Sequence, residues 1–245
     1  MDSALRTSNP TLRGDIFDRP AHGLPMTLQG TINKTGLLLL LVIAGAVTTW
    51  DLALEKSPAI GLLLMGGVIG GFIVSLITVF KKEWSPVTAP IYAILEGLAL
   101  GGISSLLNQK YPGIAIEAVS LTFGVFLIML VLYWTGLVRA TPLFVRGVVA
   151  ATGAVALVYL VNLGLGLFGT QIPFINSAGG LGIAFSLFVV GLAALNLVLD
   201  FALIEEGARS GAPRYMEWYG AFALIVTLIW LYLEILRLLS KLNRR

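Results

Sequence analysis

The chain has 245 residues, of which 57% are hydrophobic and only 12% charged, whereas a soluble domain carries about a quarter charged residues. So much apolar surface cannot be hidden in one water-surrounded core, which excludes a soluble enzyme and makes lipid the solvent. The net charge of +3 comes from basic residues scattered between apolar runs, so nucleic acid is not expected as a partner; with no cysteine and one histidine, His22, in a polar segment, thiolate and histidine metal sites inside the membrane are excluded as well.

Residues 1–33 are polar and broken by Pro10, Pro20 and Pro25. Arg6, Arg13 and Arg19 alternate with Asp2, Asp15 and Asp18, unlike an acid-poor transit peptide, and no apolar run follows Met1 closely enough for a cleaved leader. This stretch reads as a disordered cytoplasmic tail, and 34–245 as a membrane domain. Apolar runs of about twenty residues, enough to cross ~30 Å of hydrocarbon, predict spans at 35–54, 58–80, 87–107, 114–136, 146–168, 180–203 and 217–239. Turn residues such as Ser57-Pro58, Tyr111-Pro112-Gly113 and Ser210-Gly211-Ala212-Pro213 separate them. The predicted class is an all-α integral membrane protein with seven transmembrane helices.

Small residues let membrane helices approach closely, and Gly66, Gly67, Gly70 and Gly71 form two overlapping small-xxx-small pairs in span two, with Gly97 and Gly101 a third in span three. These predict packing, not chemistry. No internal repeat is evident.

Positive charge is retained on the cytoplasmic side. Ten Lys and Arg lie in the tail and in the loops after spans two, four and six, against Lys56 and Lys110 in the loops after spans one, three and five. The N-terminus is therefore expected inside. Arg237, Lys241, Arg244 and Arg245 then lie outside if span seven crosses fully, or inside if it re-enters; the length from Trp218 to Leu239 favours a full crossing.

Carboxylates within a span are costly and face polar interiors. Glu117, a few residues into span four, reads as snorkelling to the interface. Glu96 lies about ten residues into span three, near mid-depth at ~1.5 Å per residue. Asp200 shares a helix face with Asn196, giving a polar stripe in span six. Glu234 shares one with Thr227 and with Arg237. Glu234 either forms a local ion pair with Arg237 or meets Asp200 between helices, where two carboxylates would titrate as a unit and attract a hard cation such as calcium. The second arrangement needs the turn centred near Glu217 and not at Gly211 or Pro213.

Val198-Leu199-Asp200-Phe201 with Ile204, Leu231-Tyr232-Leu233-Glu234-Ile235 with Leu236-Arg237-Leu238-Leu239, and Glu96-Gly97-Leu98-Ala99-Leu100-Gly101 resemble the transmembrane Bax inhibitor motif family, in its bacterial YccA-like branch. The similarity runs from about residue 30 to the C-terminus. It implies a seven-helix bundle with the last helix central, ringed by the other six, and a pH-sensitive calcium leak controlled by an acid in span six and another in span seven. Carried over by motif, these fall on Asp200 and Glu234, the latter a glutamate where the family has aspartate. The 205–216 loop is also longer than usual. A basic latch to the span-six acid at the end of span two would fall on Lys81 or Lys82, which also serve as topology anchors.

The leading expectation is a multi-pass cell-membrane protein with a proton-regulated cation pathway. Asp200, Glu234 and Glu96 are its expected pH sensor and ion path, with Asp200 and Glu234 the expected ligands of calcium. No cofactor is expected; the partners are lipid, protons and a cation. The alternative is a non-transporting regulator of a membrane protease or stress response, working through the tail. An intramembrane aspartyl protease is not expected, because the second acid is glutamate and no glycine precedes Asp200.

Overall fold

The computed structural model describes residues 24–170 and 172–244. Helix α1 (Leu28–Leu54) starts where Thr27, in extended conformation, turns its hydroxyl to accept from Gly30 N at 2.9 Å. It therefore takes in polar Gln29, Asn33 and Lys34, and the boundary expected between residues 33 and 34 moves ahead of Leu28. The expectation of a disordered tail falls, for residues 1–23, outside the described residues.

Helix α2 (Ala59–Phe80) leads through a 3-10 turn at Lys82–Trp84 into α3 (Ser85–Lys110), with Pro86 in the first turn, where no N–H partner is lost. Gly113, at φ +91°, turns the chain into α4 (Ile114–Trp134), and its N–H donates to Asn108 Oδ1 at 2.9 Å. Thr141 caps α5 (Pro142–Leu167) by accepting from Phe144 N at 3.3 Å. A single-turn α6 (Pro173–Asn176) precedes α7 (Gly180–Arg209) and α8 (Met216–Leu242). Among the described residues seven helices are long and apolar enough to span a membrane, and all seven expected spans are present. Several run further than the apolar count, α7 by six residues beyond 203, because polar ends continue a helix without adding hydropathy.

The longer helices alternate in direction, so the first turns of α1, α3, α5 and α8 share one face, here the near face, with the last turns of α2, α4 and α7. Ser85 Oγ donating to Tyr215 O at 2.9 Å marks the near face; Lys241 Nζ donating to Gly182 O at 2.9 Å marks the far one. Helix α8 runs unbroken between them, as a full crossing and not a re-entrant segment.

Helix α3 lies between α1 and α2 at backbone contact. A Cβ on Gly97 would overlap Val42 O, one on Gly101 would overlap Ala46 O, and one on Gly67 would come within 2.5 Å of Leu95 O. Gly66, in the other small-residue pair, meets nothing within 4 Å. Helix α8 is central: most of its circumference is buried, apart from a half-buried stripe through Tyr219, Ala223, Val226, Trp230, Leu233 and Arg237, and it packs on α7, α1, α4 and α3. The expected ring of six is incomplete. Helix α2 packs chiefly on α3, which shields it from α8, and α5 packs chiefly on α7. These two outer helices expose Leu62, Ile69, Phe72, Leu157 and Leu160, side chains that lipid, and not water, solvates.

Candidate functional site

The α7–α8 hairpin turns at Ser210–Tyr215, with Gly211 at φ +67°. Two antiparallel helices joined there are level at residues equally far from the turn, which places Asp200 beside Thr227. The Thr227 hydroxyl indeed faces the Asp200 carboxyl while donating to Ala223 O at 3.3 Å. Asp200 is partly buried, but its Oδ2 is wholly buried and has no hydrogen-bond partner among the described residues. Buried polar atoms are nearly always paired, so this oxygen requires an explanation. Asn196, one turn away on α7, is turned to α5: its Nδ2 donates to Thr152 Oγ1 at 2.8 Å and to Leu192 O at 2.9 Å. The expected stripe of Asn196 and Asp200 is thus split between two neighbours.

Glu234 is 1% exposed and lies two turns from Thr227, about 10 Å deeper along α8. Arg237 Nη1 donates to Oε1 and Oε2 at 2.8 and 3.0 Å, and Tyr159 Oη donates to Oε1 at 2.9 Å. Arg237 Nη1 also reaches Tyr159 Oη at 2.6 Å, with the guanidinium 4.8 Å from that ring's centroid. The structure therefore realises the local ion pair, closed by Tyr159 of α5, and does not bring Asp200 and Glu234 together. The calcium site expected from these two carboxylates loses its geometry, because the turn is centred near residue 213 and not Glu217.

Further along the same face of α8, Lys241 is 3% exposed and donates to Gly182 O at 2.9 Å and Ser186 Oγ at 2.7 Å. Arg237 and Lys241, which set charge against length in the sequence, are thus absorbed into the far end of the bundle.

Glu96 accepts no hydrogen bond among the described residues; its carboxylate lies against Gly71, where a Cβ would be 2.7 Å from Oε1. It belongs to the α2–α3 contact. Glu117 is exposed in the first turn of α4, as snorkelling requires. Neither Lys81 nor Lys82 latches Asp200. Lys82 Nζ sits 5.1 Å over the Tyr219 ring, eight residues or about 12 Å nearer the near face than Thr227.

The sequence reading missed a second buried acid cluster. Glu217, 2% exposed, pairs with Lys34, and its Oε1 accepts from Thr27 N at 2.9 Å and Thr27 Oγ1 at 3.0 Å. Lys34 also stands 5.4 Å over the Trp218 ring. The signal available was an acid in the first turn of an apolar helix. Tyr159 offered none. No group of three or more His, Cys, Asp or Glu able to hold a metal ion occurs among the described residues.

Between α1, α3, α4 and α8 lies an apolar cavity of about 650 Å³, lined by Val42, Trp50, Val119 and Tyr232 among others. Its polar groups satisfy one another, Ser104 Oγ with Tyr232 Oη at 2.7 Å and Asn108 with Gly113 N. It contains no acidic side chain among its lining residues.

A protein family described as Bax inhibitor 1 like matches residues 4–244, nearly the whole chain and including the segment ahead of α1. No curated protein and no solved structure matches it.

Proposed function

The chain belongs to the Bax inhibitor 1 like family of multi-pass membrane proteins, and from that premise we propose that it is a proton-regulated cation leak, with Asp200 as the group that senses protons and meets the ion. The supporting observation is the buried Oδ2 of Asp200, which lacks a partner on the seam between α7 and the central helix. Taking up or losing a proton at that oxygen changes the charge on the seam. Ionised, it attracts a cation passing between the helices.

Calcium is the ion that the family resemblance suggests. Calcium takes 6–8 oxygen ligands, and one carboxylate with the Thr227 hydroxyl supplies few of them, so the ion keeps part of its water and is released easily. That suits a leak better than a storage site. Glu234, held by Arg237 and Tyr159, serves stability in this scheme, and Glu96 serves the α2–α3 contact. The excess of Lys and Arg on the near face favours an orientation with that face inside, as in the cell-membrane placement expected from the sequence.

The test is calcium entry into liposomes between about pH 6 and 8, for the wild type, Asp200→Asn and Glu234→Gln. Flux in the wild type that varies with pH, lost in Asp200→Asn and retained in Glu234→Gln, is the expected result. Silence in well-folded wild-type protein would remove the leak and leave a non-transporting regulator as the better reading.

A further inference from the structure

Below Asp200, toward the near face, α7 and α8 face each other across a column of residues. On α7, Asp200, Ile204 and Gly207 follow one another at i, i+4 and i+7 on one face; on α8, Thr227 gives way to Ala223 and then Gly220. The two glycines leave a notch. Ile204 enters it from one side, its Cγ1 3.0 Å from where a Gly220 Cβ would stand. The rest is filled by Met26, from outside the helices: its Sδ would be 2.8 Å from a Cβ on Gly207 and its Cε 3.7 Å from one on Gly220. Met26 is 4% exposed and Ile204 8%.

The segment carrying Met26 is fastened at each residue that follows or flanks it. Pro25 bridges Pro213 in antiparallel fashion, and Met26 N donates to Ala212 O at 2.7 Å. Thr27 donates twice to Glu217, and Lys34 pairs with the same carboxylate. Gly30 permits the approach, because a Cβ there would overlap the Glu217 carboxylate. A chain running over the end of a bundle ordinarily stays on its surface. Here it inserts one flexible apolar side chain and ties both sides of it to the turn that ends the α7–α8 seam.

We infer that Met26 is a removable plug that closes the near-face end of the α7–α8 seam below Asp200, and that the Glu217 carboxylate, gripping Thr27 and Lys34, is its latch. The inference rests on the reading of that seam as the ion's path. Methionine suits a plug that must leave and return, since it is unbranched and fills irregular gaps without a fixed shape. The polar contacts at Thr27 and Lys34 hold the segment in register, while the thioether does the sealing.

The absence of cysteine makes a direct test available. Ile204→Cys, in otherwise unchanged protein in liposomes, reports access from the near face to a membrane-impermeant thiol reagent. Ser104→Cys, 5% exposed in the parent and packed against Tyr232 toward the far side, reports general loosening. Adding Met26→Ala or, separately, the milder Glu217→Gln is expected to speed modification of Ile204→Cys by about tenfold or more, without speeding Ser104→Cys. Unchanged modification of Ile204→Cys in both backgrounds would overturn the plug, as would equal acceleration at the two reporters. Faster modification of Ile204→Cys without calcium entry keeps the plug and refutes the leak, so the two readings fail separately.

Discussion

Glu234 and Asp200 are both acids in the body of the membrane, yet one is saturated with donors and the other has a bare oxygen. The difference lies in what the neighbouring helices bring. Arg237 follows Glu234 by three residues on the same helix, a spacing legible in the sequence, but Tyr159 comes from α5 and nothing in the sequence pointed to it. Replacing Glu234 with glutamine keeps the shape and removes the charge that Arg237 and Tyr159 address. Breaking a buried pair costs about 3–5 kcal/mol, discounted here to about 1–2 because Arg237 is 40% exposed and can turn to water or headgroups. Glu234→Gln should therefore lower the midpoint of thermal unfolding in detergent while leaving the pH profile of flux where it was. A shifted pH profile at unchanged stability would return Glu234 to the sensing role that the family motif suggested. The other misplacement at this scale, Lys82, followed from its position at the end of α2. A lysine there reaches the Tyr219 ring at the near face, whereas a latch on Asp200 would need about two more turns of depth.

The seven helices were legible because hydrocarbon thickness sets a length that apolar runs either meet or fail to meet. Their ends were less so. Helix α1 starts at Leu28 because Thr27 caps it and Glu217, from the other end of the sequence, anchors that cap. No window over residues 28–34 carries that information. The glycine pattern announced close packing but left the faces undecided, and the structure separates them. Gly101 faces Ala46 O and Thr49 Oγ1 at a distance that admits no methyl group, while Gly66 faces open space. Gly101→Ala should push α1 from α3 and cost about 1–3 kcal/mol, the range for overpacking. Gly66→Ala should be neutral or stabilising by up to about 1 kcal/mol, through helix propensity alone. Thermal unfolding of the two variants in the same detergent checks the pair, and a similar loss in both would mean that α2 packs through its other glycine face.

At the scale of the molecule, function depends on register, and register is the quantity that spacing alone left open. Moving the centre of the α7–α8 turn by four residues exchanges the partner of Asp200 from Glu234 to something two turns away. The turn's length could be counted, but its centre depended on where Gly211 bends the chain and on Met26 and Thr27 tying down Ala212 and Glu217. The segment ahead of α1 thus helps fix which residues of α7 and α8 face one another. With the turn where it is, the position opposite Asp200 is Thr227, and a second acid placed there meets the first. Thr227→Asp would set two carboxylates side by side, and a pair that close loses its protons in two coupled steps, not one. The pH response of calcium flux should broaden relative to the wild type, with two resolvable transitions, and Asp200→Asn in the same background should return it to a single step. The same substitution at residue 234, Glu234→Asp, changes only the reach of a carboxylate already committed to Arg237 and Tyr159, and should leave the response single. A broadened response in Glu234→Asp with none in Thr227→Asp would show that the conducting form of the protein adopts the other register, sliding α8 by two turns against α7.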